Sequence, residues 1–149
     1  MQGKTALVTG ASAGIGKSTV EALLSAGATV YAAARRVERM KDLERQGARL
    51  LYIDVTDEDS MVNGINSILE KESSIDILIN NAGYGSYGAI EDVPLEEARR
   101  QFEVNIFGLA RLTQLVLPGM RENRYGKIVN ISSMGGKMYT PFGGWYHAT

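Results

Sequence analysis

Short apolar runs alternate along the chain with longer segments in which apolar and charged positions mix at helical spacing. Lys4 to Thr9, Thr29 to Ala34, Arg49 to Ile53, Ile75 to Ile79 and Gly126 to Ser132 are runs of the first kind. Their apolar positions are continuous rather than alternating, as in Ala6, Leu7 and Val8. This is the pattern of strands covered on both faces, the condition of a parallel sheet. Ile15 to Ala26, Val37 to Gln46, Thr56 to Glu72 and a long segment from Pro94 to about Asn123 read as helices. Gly27 and Gly47 stand where a left-handed residue ends a helix. Thr56 is the expected N-cap of the third helix, with Asp57, Glu58 and Asp59 at its positive end. Strand and helix alternating five times over predict a doubly wound α/β sheet in one domain, residues 1–149.

The long segment is apolar on nearly all sides: Phe102, Ile106, Phe107, Leu109, Leu112, Leu115, Val116 and Leu117. A sheet covers only one side of a helix, so a second cover is expected from a further helix or a partner subunit. The expectation is a homo-oligomer formed through the 94–123 helix. Pro118 is expected to kink or end its regular part.

Composition narrows the chemistry. Of 149 residues, 16 are Lys or Arg and 17 are Asp or Glu, so no global field draws nucleic acid or an anionic membrane. There is no cysteine and one histidine, which removes disulfides and thiolate sites and speaks against zinc. No apolar run approaches the roughly 18 residues that cross a bilayer. Met1 leads straight into a strand pattern without a signal peptide, so the expected location is cytoplasmic.

Thr9-Gly10-Ala11-Ser12-Ala13-Gly14-Ile15-Gly16 joins the first strand to the first helix. Glycines let the backbone turn sharply and let a pyrophosphate come close, and the free N–H groups of the helix start bind the anion. The spacing is Gly-x3-Gly-x-Gly rather than the usual Gly-x-Gly-x-x-Gly, and a tight strand–helix turn is the plainer reading. Its place at the first βα turn favours a dinucleotide. The second strand ends Ala34-Arg35-Arg36, with no acid for a ribose 2′-OH and a permanent cation suited to a 2′-phosphate. The expected cofactor is NADP(H); solvated arginines at a strand end are the alternative.

TGASAGIG at Thr9–Gly16, NNAG at Asn80–Gly83, VNIFG with Asn105 and Gly108, and Ser133 thirteen residues before Tyr146 occur in one order. Together they resemble the short-chain dehydrogenase/reductase family along the whole chain, and imply a Rossmann-like sheet of which these are five of seven strands. The resemblance implies that Gly10, Ser12, Gly14, Ile15 and Gly16 form the phosphate loop. It further implies that Arg35 meets the 2′-phosphate, Asp54 and Val55 the adenine, and Asn81, Ala82 and Gly83 the adenosine pocket.

Reducing a ketone needs hydride on carbon and a proton on oxygen. A free phenol titrates near pH 10, so a tyrosine acting at neutral pH needs help. The resemblance makes Tyr146 the acid–base, Ser133 a donor to the substrate oxygen, and Asn105 the holder of a water that relays protons. It also implies a lysine one helical turn after Tyr146, a position this sequence does not include. The expectation is therefore a portion of a longer enzyme, inactive by itself. The implied substrate is a carbonyl compound or secondary alcohol, lipid- or steroid-like given the aromatic Tyr139–Trp145 segment. Taken singly, these residues have plainer readings: strand-end hydroxyls, a packed ring, a side chain tied to a carbonyl. Asp54 could merely brace its turn, and adjacent asparagines usually mark a turn. His147 points away from its neighbour on a helix and is expected to pack or face solvent. The rival reading is a non-catalytic dinucleotide-binding fragment or an interaction module of the same fold.

Overall fold

In a computed structural model describing residues 1–149, five parallel strands form one sheet in the order β3-β2-β1-β4-β5. They are β1 (Thr5–Thr9), β2 (Thr29–Ala34), β3 (Arg49–Tyr52), β4 (Ile77–Asn80) and β5 (Lys127–Asn130). Leu7 lies opposite Tyr31 on one side and Leu78 on the other, which fixes the register of the three central strands. Because successive side chains point to opposite faces, Ala6 and Val8 join one core and Leu7 the other. The first core holds Val20, Val30, Ala32, Met40, Leu43, Ile77 and Ile79. The second holds Tyr31, Ile65, Ile68, Leu78, Leu112 and Val116. Each Val, Leu, Ile or Met side chain among them contributes about 1.5–3 kcal/mol by leaving water. The continuous apolar runs of β1, β2 and β4 thus reflect helices on both faces. The edge strands β3 and β5 are largely exposed, so the expectation of two-sided cover fails there.

Helices α1 (Gly14–Ser25) and α2 (Lys41–Arg45) cover the first face, α2 being preceded by a 3-10 turn at Val37–Met40. A Lys17–Asp42 ion pair ties them together. It raises the Lys17 ammonium and lowers the Asp42 carboxyl, chiefly through the hydrogen bond between them. Helix α3 (Glu58–Leu69) starts two residues later than the sequence suggests. Its N-cap is Asp57, whose Oδ1 accepts the Ser60 N–H at 2.9 Å. Thr56 instead donates its hydroxyl to Asp54 Oδ1 at 2.8 Å, because that carboxylate lies on the inner side of the turn.

The long helical segment is three pieces: α4 (Leu95–Phe102), a π-helical turn (Glu103–Phe107) and α5 (Gly108–Glu122). Pro94 is the N-cap rather than the first helical residue. Helix α5 lays Leu112, Val116 and Met120 on the second face. Arg111 Nε donates to both Glu58 carboxylate oxygens at 2.9 Å, joining α5 to α3 and lowering the Glu58 carboxyl. Pro118 does not end α5, which continues to Glu122. Pro118 and Gln114 are both exposed, so the carbonyl deprived of its partner faces water. A 3-10 turn at Met134–Gly136 and the short α6 (Gly144–His147) follow β5. No helix is long and apolar enough to cross a membrane.

Candidate functional site

The chain order reverses between β1 and β4, where open α/β sheets bind ligands beyond the strand ends. Two adjoining cavities open there. The first, about 450 Å³, is lined by the β1–α1 loop, the ends of β2 and β3, the segment after β4, and α4. The second, about 390 Å³, continues from Ile15 and Asn81–Gly85 to Asn105, Ser133 and Tyr146.

The loop after β1 is pinned from β4. Thr9 Oγ1 accepts the N–H groups of Asn81 and Ala82, each at 3.0 Å. Asn81 Nδ2 donates to the carbonyls of Thr9 at 3.0 Å and Gly10 at 3.2 Å. Gly10 and Gly14 have φ of 64° and 54°, a region glycine enters without strain. A Cβ on Gly14 would meet nothing within 4 Å, so the backbone there is open to the cavity. Helix α1 has Ala13 as its N-cap and no side-chain cap. Its first N–H donors are therefore free to take an anion. Gly16 differs from the other two. It is buried, it does not line the cavity, and a Cβ there would collide with Asn81 Nδ2 and the Gly10 carbonyl. It packs closely beneath the loop, whereas the sequence pattern puts it among the loop's contact residues.

Gly10, Ser12, Gly14, Ile15, Arg35, Asp54, Val55, Asn81, Ala82 and Gly83 all line the first cavity. Asp54 also braces its turn, accepting the Thr56 N–H at 3.0 Å on Oδ1. Arg36, Tyr84 and Arg100 line it too, unforeseen from the sequence. None of the three arginines belongs to the chain's ion pairs, which are Lys4–Asp76, Lys17–Asp42, Arg49–Glu72 and Arg111–Glu58. Open donors at the α1 start and unpaired guanidinium groups fit a dinucleotide carrying several phosphates.

Tyr84 stands between the two cavities. Its hydroxyl donates to Glu97 at 3.0 Å. Burial pushes its phenol up and the Glu97 bond adds to this, while Arg100 and Arg35 act the other way. Asn105, in the π turn, clamps the Tyr84 backbone: Oδ1 accepts its N–H at 3.1 Å and Nδ2 donates to its carbonyl at 2.9 Å. Nδ2 also donates to Thr149 Oγ1 at 2.9 Å, and that hydroxyl donates to the Tyr146 carbonyl at 2.9 Å. Buried Gln101 accepts the Ser86 N–H at 3.1 Å, so α4 and the π turn together hold the strip at Tyr84 and Ser86.

Tyr146 lies on α6 with its ring 5.6 Å from that of Tyr87. It is flanked by two glycines. A Cβ on Gly85 would sit 3.2 Å from Tyr146 Cδ2. One on Gly135 would sit 3.2 Å from Tyr146 Cε1 and 3.4 Å from Ser133 Oγ. Ser133, at the end of the chain leaving β5, accepts the Gly135 N–H at 3.0 Å and is otherwise exposed. His147 packs edge-on to Tyr146 and shares a hydrogen bond of 3.2 Å with Thr140, as its position on the helix suggested.

The family model of the short chain dehydrogenases matches residues 4–149. The chain is 42% identical to a 3-ketodihydrosphingosine reductase of Bacteroides thetaiotaomicron, over 100% of this chain and 54% of that protein. It resembles a metagenomic short-chain oxidoreductase solved with NADP, with a TM-score of 0.94 and 32% identity over 99% of this chain and 70% of that one. It also resembles a 7α-hydroxysteroid dehydrogenase solved with NADH and 7-oxo glycochenodeoxycholic acid, with a TM-score of 0.90 and 31% identity over 99% of this chain and 60% of that one. The chain spans about half the length of the curated relatives it matches.

Proposed function

The chain belongs to the short-chain dehydrogenase/reductase family of oxidoreductases, and from that premise we propose that it carries the cofactor half and the acid–base pair of an NADP(H)-dependent carbonyl reductase or alcohol dehydrogenase. The observation that carries this reading is the convergence of Ser133 and Tyr146 on Gly135, in a cavity continuous with the glycine loop. When bound, the nicotinamide cofactor gives or takes the hydride. Tyr146 gives the proton to the carbonyl oxygen in reduction and removes it from the alcohol in oxidation. Ser133 donates a hydrogen bond to the same oxygen and stabilises the charge that gathers there. Asn105 holds the Tyr84 backbone and the α6 carbonyl side together, and orders a water beside Tyr146.

The preference for NADP(H) rests on Ala34 in place of an acid and on Arg35 in the first cavity. The substrate is an apolar ketone or secondary alcohol. Exposed Tyr87 packs its ring beside that of Tyr146, exposed Met134 and Met138 line a neighbouring cavity with Ser132 and Ser133, and a related protein's name refers to a keto-sphingoid lipid. We also propose that α4 and the π turn meet a second copy of the chain.

Tyr146→Phe keeps the ring and removes the transferable proton. In the active enzyme it is expected to lower kcat by about a hundredfold or more while leaving dinucleotide affinity unchanged. Ketone reduction at a rate close to wild type in this variant would refute the assignment.

A further inference from the structure

Helix α4 turns two adjacent arginines to different surroundings. Arg99 lies in an apolar groove with Leu95, Phe102 and Trp145. Arg100, one position on, lines the proposed dinucleotide cavity together with Arg35 and stands one helical turn from Val104. Neighbours one apart on a helix face different ways, and neighbours four apart share a face, so this division follows from the helix itself.

The helix also offers Arg100 partners of its own. Glu96 is four residues before it and Glu103 three after, the spacings at which helical ion pairs form. Neither pairs with it, and Glu97 is taken by the Tyr84 hydroxyl. Arg100 and Arg35 both act electrostatically on the one Tyr84 phenol. The cavity lining holds a single acid, Asp54, whose Oδ1 accepts the Thr56 N–H and hydroxyl. Two guanidinium groups from different elements, neither in an ion pair, thus line one cavity in which the cations Arg35, Arg36 and Arg100 outnumber the acid Asp54. Such a space draws a compact, multiply charged anion.

We propose that Arg100 is a second specificity-determining cation, closing over the 2′-phosphate from α4 while Arg35 holds it from β2. The proposal rests on the NADP(H) reading above. It makes selectivity a property of two walls of the cleft rather than of the β2 end alone. Arg100 donates to phosphate oxygens that Arg35 leaves free, since a phosphate accepts more hydrogen bonds than one guanidinium supplies.

Calorimetric titration with adenosine 2′,5′-bisphosphate and adenosine 5′-monophosphate tests this without turnover. Wild type is expected to bind the bisphosphate more tightly. Arg100→Gln is expected to weaken the bisphosphate roughly tenfold, the loss of a charge-assisted contact, and to leave the monophosphate unchanged. Arg100→Lys is expected to recover part of the loss, because it keeps the charge but not the fork. Equal weakening of both nucleotides would mean that Arg100 stacks on adenine, and would overturn the proposal. If the bisphosphate preference survives Arg100→Gln but is lost in Arg35→Ala, the proposal falls and the NADP(H) reading stands. If wild type does not distinguish the two nucleotides, both fall.

Discussion

Three glycines of the β1–α1 loop look alike in sequence and do different work. Gly10 and Gly14 supply positive φ, and Gly14 leaves space for a ligand. Gly16 has no such φ and serves close packing against Asn81 and the Gly10 carbonyl. Gly16→Ala is therefore expected to cost about 1–3 kcal/mol of stability through overpacking, and to loosen the loop with it. Urea unfolding reads this, and a Gly16→Ala protein as stable as wild type would contradict the packing role. The loop's place in a cavity at the first βα turn was legible because glycine, small residues and a helix start follow one another in order. The split of roles was not, because it depends on Asn81, a residue far along the chain. Arg100 was missed for the same reason, although its spacing of four from Val104 on a helix was a usable signal.

At the scale of elements, periodicity located each strand and most helices, since burial on both sheet faces leaves a strong apolar signature. Helix ends were less legible. Two hydroxyl- or carboxylate-bearing residues, Thr56 and Asp57, stood side by side as candidate caps, and the choice was made by Asp54, which engages Thr56 from the turn. Asp57→Ala is expected to destabilise the chain by about 1 kcal/mol, with Thr56→Ala costing less. The reverse order in thermal unfolding would contradict this assignment. The π turn left no periodic trace, because Ala98, Gln101, Gly108 and Leu112 are all buried across it at ordinary helical intervals. Its occurrence where Asn105 clamps Tyr84 accords with the placement of such turns at functional sites.

For the whole molecule, the sheet order places the glycine-loop cavity and the Ser133–Tyr146 cavity side by side beyond the carboxyl ends of the strands. The sequence showed that the long segment was too apolar for one sheet face. The structure specifies the surplus: Leu95 and Phe107 are more than half exposed, and a groove of about 310 Å³ runs between Ala98, Phe102 and Trp145. A second copy seated there would cover them. Sedimentation equilibrium is expected to give a dimer or larger species that Phe107→Arg dissociates, and a monomeric wild type at micromolar concentration would contradict it.

We propose that this cleft is built for a dinucleotide carrying a 2′-phosphate. Titration of the protein with NADPH and NADH, followed by nicotinamide fluorescence, tests it most directly. NADPH is expected to bind about tenfold to a hundredfold more tightly, the value of charged contacts to one phosphate, with Arg35→Ala erasing most of the difference. Equal affinities, tighter binding of NADH, or an Arg35→Ala protein that keeps the full preference would contradict the account.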